Sequence, residues 1–134
     1  AITKSWFNFS PLLDLLKNLA KHDVNLIIST DHGSVQVTDP IKIVGDKATT
    51  TNLRYKQGRN LNYNPKEVFE ILNPADAYLP KINISSTYVF ATGSDYFVYV
   101  NNFNHFVKYY KDTFQHGGIS LQEMIIPIVS LKPR

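Results

Sequence analysis

Leu26, Ile27 and Ile28 close an apolar run that starts at Val24. Three consecutive apolar residues with no polar face read as a strand covered on both sides, the kind found in parallel sheets. Ahead of this run, Leu12, Leu15, Leu16 and Leu19 recur at i, i+3, i+4 and i+7, which predicts a helix with one apolar face. Ser10 is placed as its N-cap and Pro11 as its first residue, with Trp6, Phe7 and Phe9 as an aromatic entry. Beyond the run, residues 35–38 and 41–44 alternate apolar with polar around Asp39-Pro40, and this predicts a small β-hairpin. Residues 87–91 and 96–100 around Gly93-Ser94-Asp95 predict a second one. Asn64-Pro65-Lys66-Glu67 reads as a cap, a first-turn proline and a box-closing Glu, so a helix carrying Val68, Phe69 and Leu72 is expected. Phe103, Phe106, Val107 and Tyr110 keep helical spacing, with His105 off that face. The last strand, 125–131, contains Pro127, which argues for an edge position or a bulge. Helices alternating with strands place the chain in the α/β class.

Chemistry concentrates in two short stretches. Ser29-Thr30-Asp31-His32-Gly33 sets two strong metal ligands side by side where the first strand ends. In a continuing strand these neighbours would point to opposite faces, so a turn at Gly33 is required to bring them to one site. Ligands bind at the carboxyl ends of strands in open α/β sheets. By itself the pentapeptide fits a plainer reading equally well, a βα loop with an Asp cap and a surface His. The second stretch is His116-Gly117-Gly118-Ile119-Ser120, followed by Leu121, Gln122 and Glu123. Its glycines would let the backbone approach an ion or ester, while Ser120 and Glu123 form a capping box for a short helical turn. Between the two lies a polar, basic segment, 49–62, with Arg54, Lys56 and Arg59. A loop of that length is uncommon without a function, so these cations are candidates for guiding a phosphate ester; a solvated loop is the plain alternative.

Strand–Asp-His-Gly, then His-Gly-Gly–helical turn–Pro-bearing strand, resembles the alkaline phosphatase superfamily, and most closely its PglZ branch. The PglZ C-terminal signature reads approximately His-Gly-Gly-x-Ser-x-Glu-Glu-x-x-x-Pro. Gln122 stands where the family usually has Glu. The wording around both motifs is similar to that of PglZ-carrying response regulators of type IX secretion. The resemblance implies a partial alkaline-phosphatase-like sheet with flanking helices and the two hairpins, spanning 1–134 as the C-terminal portion of one domain. It further implies a two-zinc phosphodiesterase or phosphatase centre. Asp31 and His32 would belong to one ion and His116 to the other, with the nucleophile and remaining ligands upstream and Thr30 structural. A phosphate ester or small nucleotide-like diester would be the substrate, and secretion-system or signalling proteins the partners. A non-catalytic regulatory or protein-interaction module of the same regulator is the alternative. The isolated segment is expected to be inactive and metal-free. His116 is expected within roughly 8 Å of Asp31 and His32, given two-ion spacing plus ligand reach.

Composition narrows this only slightly. The 134 residues suffice for one ordinary core, and eight Tyr and eight Phe mark a folded segment. Without cysteine, disulfides and thiolate metal sites are excluded, which suits a cytoplasmic location. No apolar run is long enough for a membrane helix. The net charge of +3 suits an anionic substrate and is too small to argue for DNA binding. The chain opens Ala-Ile-Thr without an initiator Met and reaches a helix almost at once, as a segment beginning within a domain would.

Overall fold

The computed structural model describes residues 2–133. These divide into two compact units, 2–30 with 127–133, and 31–126.

The first unit holds helices α1 (Ile2–Asn8) and α2 (Pro11–Leu19) and strands β1 (Leu26–Ser29) and β9 (Ile128–Leu131). Pro11 opens α2 as read, but Ser10 makes no side-chain cap; its hydroxyl donates instead to the Phe7 carbonyl at 2.9 Å. The covered stripe of α2 is Leu13, Leu16 and Leu19, while Leu12 and Leu15 are exposed. The apolar face was therefore predicted slightly rotated from where it lies. β1 pairs antiparallel with β9, Leu26 opposite Leu131 and Ser29 opposite Ile128. Its burial alternates and Ile27 is 69 % exposed, which corrects the parallel, doubly covered reading. Three apolar residues in a row are compatible with either arrangement, and a two-stranded ladder covers only one face. β9 starts just after Pro127, because a residue without an N–H cannot join the ladder as donor. The Pro127 carbonyl accepts a 2.9 Å bond from the Ser29 hydroxyl.

The second unit is a mixed α/β body. Its strands are β2 (Val35–Gln36), β3 (Asp39–Ile43), β4 (Tyr55–Gly58), β5 (Val68–Ile71), β6 (Thr87–Ala91), β7 (Asp95–Tyr99) and β8 (Phe114–Gln115). α3 (Phe103–Tyr110) and α4 (Leu121–Met124) complete it. β3 and β7 run parallel in register from Asp39 opposite Asp95 to Ile43 opposite Tyr99. Alternate residues of this pair feed two cores. Ile41, Ile43 and Phe97 pack with Val89 and Ala91 of β6, whereas Tyr96 and Val98 pack with Val35, Val37 and the predicted apolar face of α3.

Neither predicted hairpin pairs with itself. β2 pairs with β8 and β3 with β7, so Asp39-Pro40 opens a strand instead of making a turn. β6 lies between β4 and β5, while β7 joins β3. The helix expected after Asn64 is also corrected: Pro65–Glu67 is one 3-10 turn, with the Asn64 side chain accepting from the Lys66 N–H, and Val68–Ile71 continues as strand β5. Val68 and Phe69 find cross-strand partners in Ala91 and Phe90, and this tertiary pairing outweighs the local helix signal. The polar segment 49–62 likewise contains a strand, β4, paired with β6.

Candidate functional site

Asp31 and His32 come one residue after β1 in the chain and open the second unit. His32 does not rely on a left-handed turn at Gly33, whose φ is not positive. Glycine is needed there for close approach. The Gly33 N–H donates to the Glu123 carbonyl at 2.9 Å, and a side chain at Gly33 would run into the Gln122 carbonyl oxygen. The 31–33 segment is thereby stitched to α4.

The His32 backbone N–H donates to Asp31 Oδ1 at 3.0 Å. Its ring Nδ1 stands 2.8 Å from the Gly33 carbonyl, which only accepts, so Nδ1 carries the proton. In the neutral ring the lone pair is then on Nε2, which lies 3.8 Å from Asp31 Oδ1. The His116 ring stacks on the His32 ring, with centroids 3.9 Å apart and planes 11° from parallel. The two motifs, 84 positions apart from His32 to His116, meet at this pair. Lone pairs of two stacked imidazoles lie in separate, nearly parallel planes, so they do not converge on one point. Consistent with that, no group of three or more His, Cys, Asp or Glu among the described residues is arranged to hold a metal ion.

The loop carrying His116 is held by residues whose importance was not visible from the motifs alone. Glu123 completes the predicted box from its own side: one carboxylate oxygen accepts from the Ser120 N–H at 3.2 Å and from the Ser120 hydroxyl at 2.6 Å. The other accepts from the Gly118 N–H at 2.9 Å. Both are also engaged by Arg54, whose Nε donates to Oε1 at 2.9 Å and whose Nη2 donates to Oε2 at 2.8 Å. Arg54 is fully buried and Glu123 nearly so. Burial alone would raise the Glu123 carboxyl, but the bonds from Arg54, Ser120 and Gly118 outweigh it and hold the pKa down at about 2. The remaining Arg54 donors meet the carbonyls of Asp95 and, at 3.0 Å, Gly93. Asn52 adds a further tie, donating to the His116 carbonyl at 3.2 Å while its own carbonyl oxygen accepts from the Arg54 and Tyr55 N–H groups. A methyl group at Gly118 would sit 2.8 Å from Glu123 Oε2 and 2.9 Å from Arg54 Nε, so this glycine makes room for the ion pair.

This changes the reading of the basic segment. Arg54 is committed to Glu123, and Lys56 is buried, donating from Nζ to the Thr50 carbonyl at 3.0 Å over the Tyr99 ring. Neither is open to a dissolved ester. Burial pushes the Lys56 ammonium down to about 8. Arg59 alone of the three is exposed, its Nε 3.7 Å from Asp46. The capping box pointed to Glu123; nothing local pointed to Arg54, 69 residues away.

No curated protein matches the chain. A protein-family model, described as the BREX system PglZ alkaline phosphatase-like domain, matches residues 6–131.

Proposed function

Because the chain belongs to the PglZ family of alkaline phosphatase-like domains, we propose that Asp31, His32 and His116 are its share of a metal-dependent phosphoesterase centre. The observation that supports this best is the stacked His32–His116 pair, with His32 Nδ1 anchored on a backbone carbonyl and Nε2 turned beside Asp31. Metal-ligating histidines are oriented in this manner, one ring nitrogen held by a hydrogen bond and the other left to the ion. Oxygen and imidazole donors without thiolate suit zinc. Donors in separate, near-parallel ring planes fit two neighbouring ions better than one shared ion, with Asp31 and His32 serving the first and His116 the second. When bound, such ions polarise a phosphate ester and offset charge on its leaving oxygen. This chain's own residues hold and orient: Gly33 fixes the His32 tautomer, and Asn52 and Glu123 secure the loop that presents His116. Thr30 is assigned no part as nucleophile, which we place outside residues 1–134.

The substrate in this reading is a phosphate ester, with a small nucleotide-like diester as the narrower choice. Resemblance of the two motifs to PorX supports a response-regulator output domain acting in type IX secretion in the cytoplasm. The test is hydrolysis of a nitrophenyl phosphodiester and monoester by the longest natural chain containing these residues, with and without zinc. Zinc-dependent turnover that His32→Ala and His116→Ala each abolish is the expected result. A folded, zinc-treated protein inert toward both esters would overturn the enzyme reading. Full secretion by a folded His32→Ala protein would assign the domain to protein interaction instead.

A further inference from the structure

We infer that the buried Arg54–Glu123 pair is a positioning device that sets His116 against His32. Its bearing on catalysis rests on the proposed ligand role of the two histidines. Three observations carry the inference. Glu123 is bonded to both motifs: its backbone carbonyl receives the Gly33 N–H, and its carboxylate receives the Gly118 N–H two residues beyond His116. The pair is out of solvent, with side-chain exposures of 0 % and 2 %, so its bonds are neither screened nor exchanged with water. The carboxylate is also saturated, taking two bonds from Arg54, two from Ser120 and one from Gly118, which leaves it little freedom to rotate.

The energetics argue in the same direction. Desolvating two charges is expensive, and apolar residues of similar volume often replace a buried ion pair at no loss of stability. What apolar residues cannot do is accept the Gly118 and Ser120 donors. Those bonds fix the His-Gly-Gly backbone against Arg54 from one side, and Asn52 fixes the His116 carbonyl from the other. With the pair removed, the Gly118 and Ser120 donors lose their acceptor and the Asn52 bond at His116 is left as a single point of attachment, about which the exposed imidazole can swing away from its 3.9 Å stack. Arg54 thus acts through Glu123, and Glu123 through the loop backbone.

The test is made on the metal-free chain by NMR, reading the cross-relaxation peak between the ring protons of His32 and His116. The double variant Arg54→Met/Glu123→Leu removes the pair without orphaning a charge. A Val89→Ala variant, which opens the core of the same unit, is the control for lost stability alone. We expect the peak in the parent chain and in Val89→Ala, and its loss in the folded double variant. Gly118→Ala, whose methyl group would wedge against both charged side chains, should lose it as well and decides the matter if the double variant does not fold. A peak of parental intensity in either folded variant, its absence from the parent, or an equal loss in Val89→Ala would overturn the inference. Zinc and ester play no part in this readout, so failure of the phosphoesterase reading leaves its outcome unchanged.

Discussion

Replacing Lys56 with Met should stabilise the second unit at neutral pH, by an amount that shrinks as pH rises. Lys56 is 1 % exposed, with the Thr50 carbonyl and the Tyr99 ring as neighbours of its ammonium. Burial lowers its pKa from 10.5 to about 8. Above pH 10.5 both folded and unfolded lysines are neutral, and the charge contributes nothing. As pH falls, the unfolded chain takes up its proton first, so stability is lost progressively until the folded site also protonates near pH 8. Below that the penalty is constant, and 2.5 pKa units amount to roughly 3 kcal/mol. Linkage between these two values gives a penalty roughly 2–3 kcal/mol larger at pH 7 than at pH 10. Met matches the length of the stem and carries no charge, and the Thr50 carbonyl keeps the Tyr99 hydroxyl as donor at 3.3 Å. The assay is urea unfolding followed by far-ultraviolet circular dichroism at several pH values, parent against variant. Ionising tyrosines affect both proteins and cancel in the difference. Trp6 belongs to the other unit, so its fluorescence is not the reporter. A difference that stays constant from pH 7 to pH 10 would show that water reaches Lys56 and that the buried site is wrongly drawn.

Glu123, held at about 2 against an ordinary 4.5, contributes stability above pH 4.5 that is lost as pH falls toward 2; the amount is on the order of 3 kcal/mol. Acid unfolding of the Arg54→Met/Glu123→Leu variant should lack that component, and matching acid profiles would refute it. Gly33→Ala should destabilise the second unit by roughly 1–3 kcal/mol, because the added methyl group meets the rigid Gln122 carbonyl; thermal unfolding checks this, and an unchanged midpoint would contradict it. Tyr96→Phe removes the 2.9 Å bond to the Val107 carbonyl that ties β7 to α3 and should cost about 1 kcal/mol, with faster amide exchange in α3 as the accompanying sign.

Features set by neighbouring residues were readable from the chain itself. The proline-led start of α2, the apolar face of α3 and the Ser120–Glu123 box all depend on spacings of a turn or two, where 3.6-residue periodicity and capping chemistry act. The two stretches richest in chemistry were also visible, since Asp-His-Gly and His-Gly-Gly combine donors with glycine. Strand partners were not. Residues 35–44 and 87–100 have the alternation and turn residues of hairpins, yet each strand bonds more profitably to a distant one, β3 to β7 and β6 to β4 and β5. Alternation defines which side chains share a face, and leaves open which strand lies alongside. Val68–Ile71 went the same way, its cap and proline spent on a single 3-10 turn before Val68 and Phe69 found partners on β6. The charged segment gave the largest divergence. Arg54, Lys56 and Arg59 look alike along the chain, but the fold buries the first against Glu123, buries the second beneath Tyr99 and leaves the third in water. A charge's role depends on what surrounds it in three dimensions, and for Arg54 that partner is 69 residues away, beyond the reach of any local pattern.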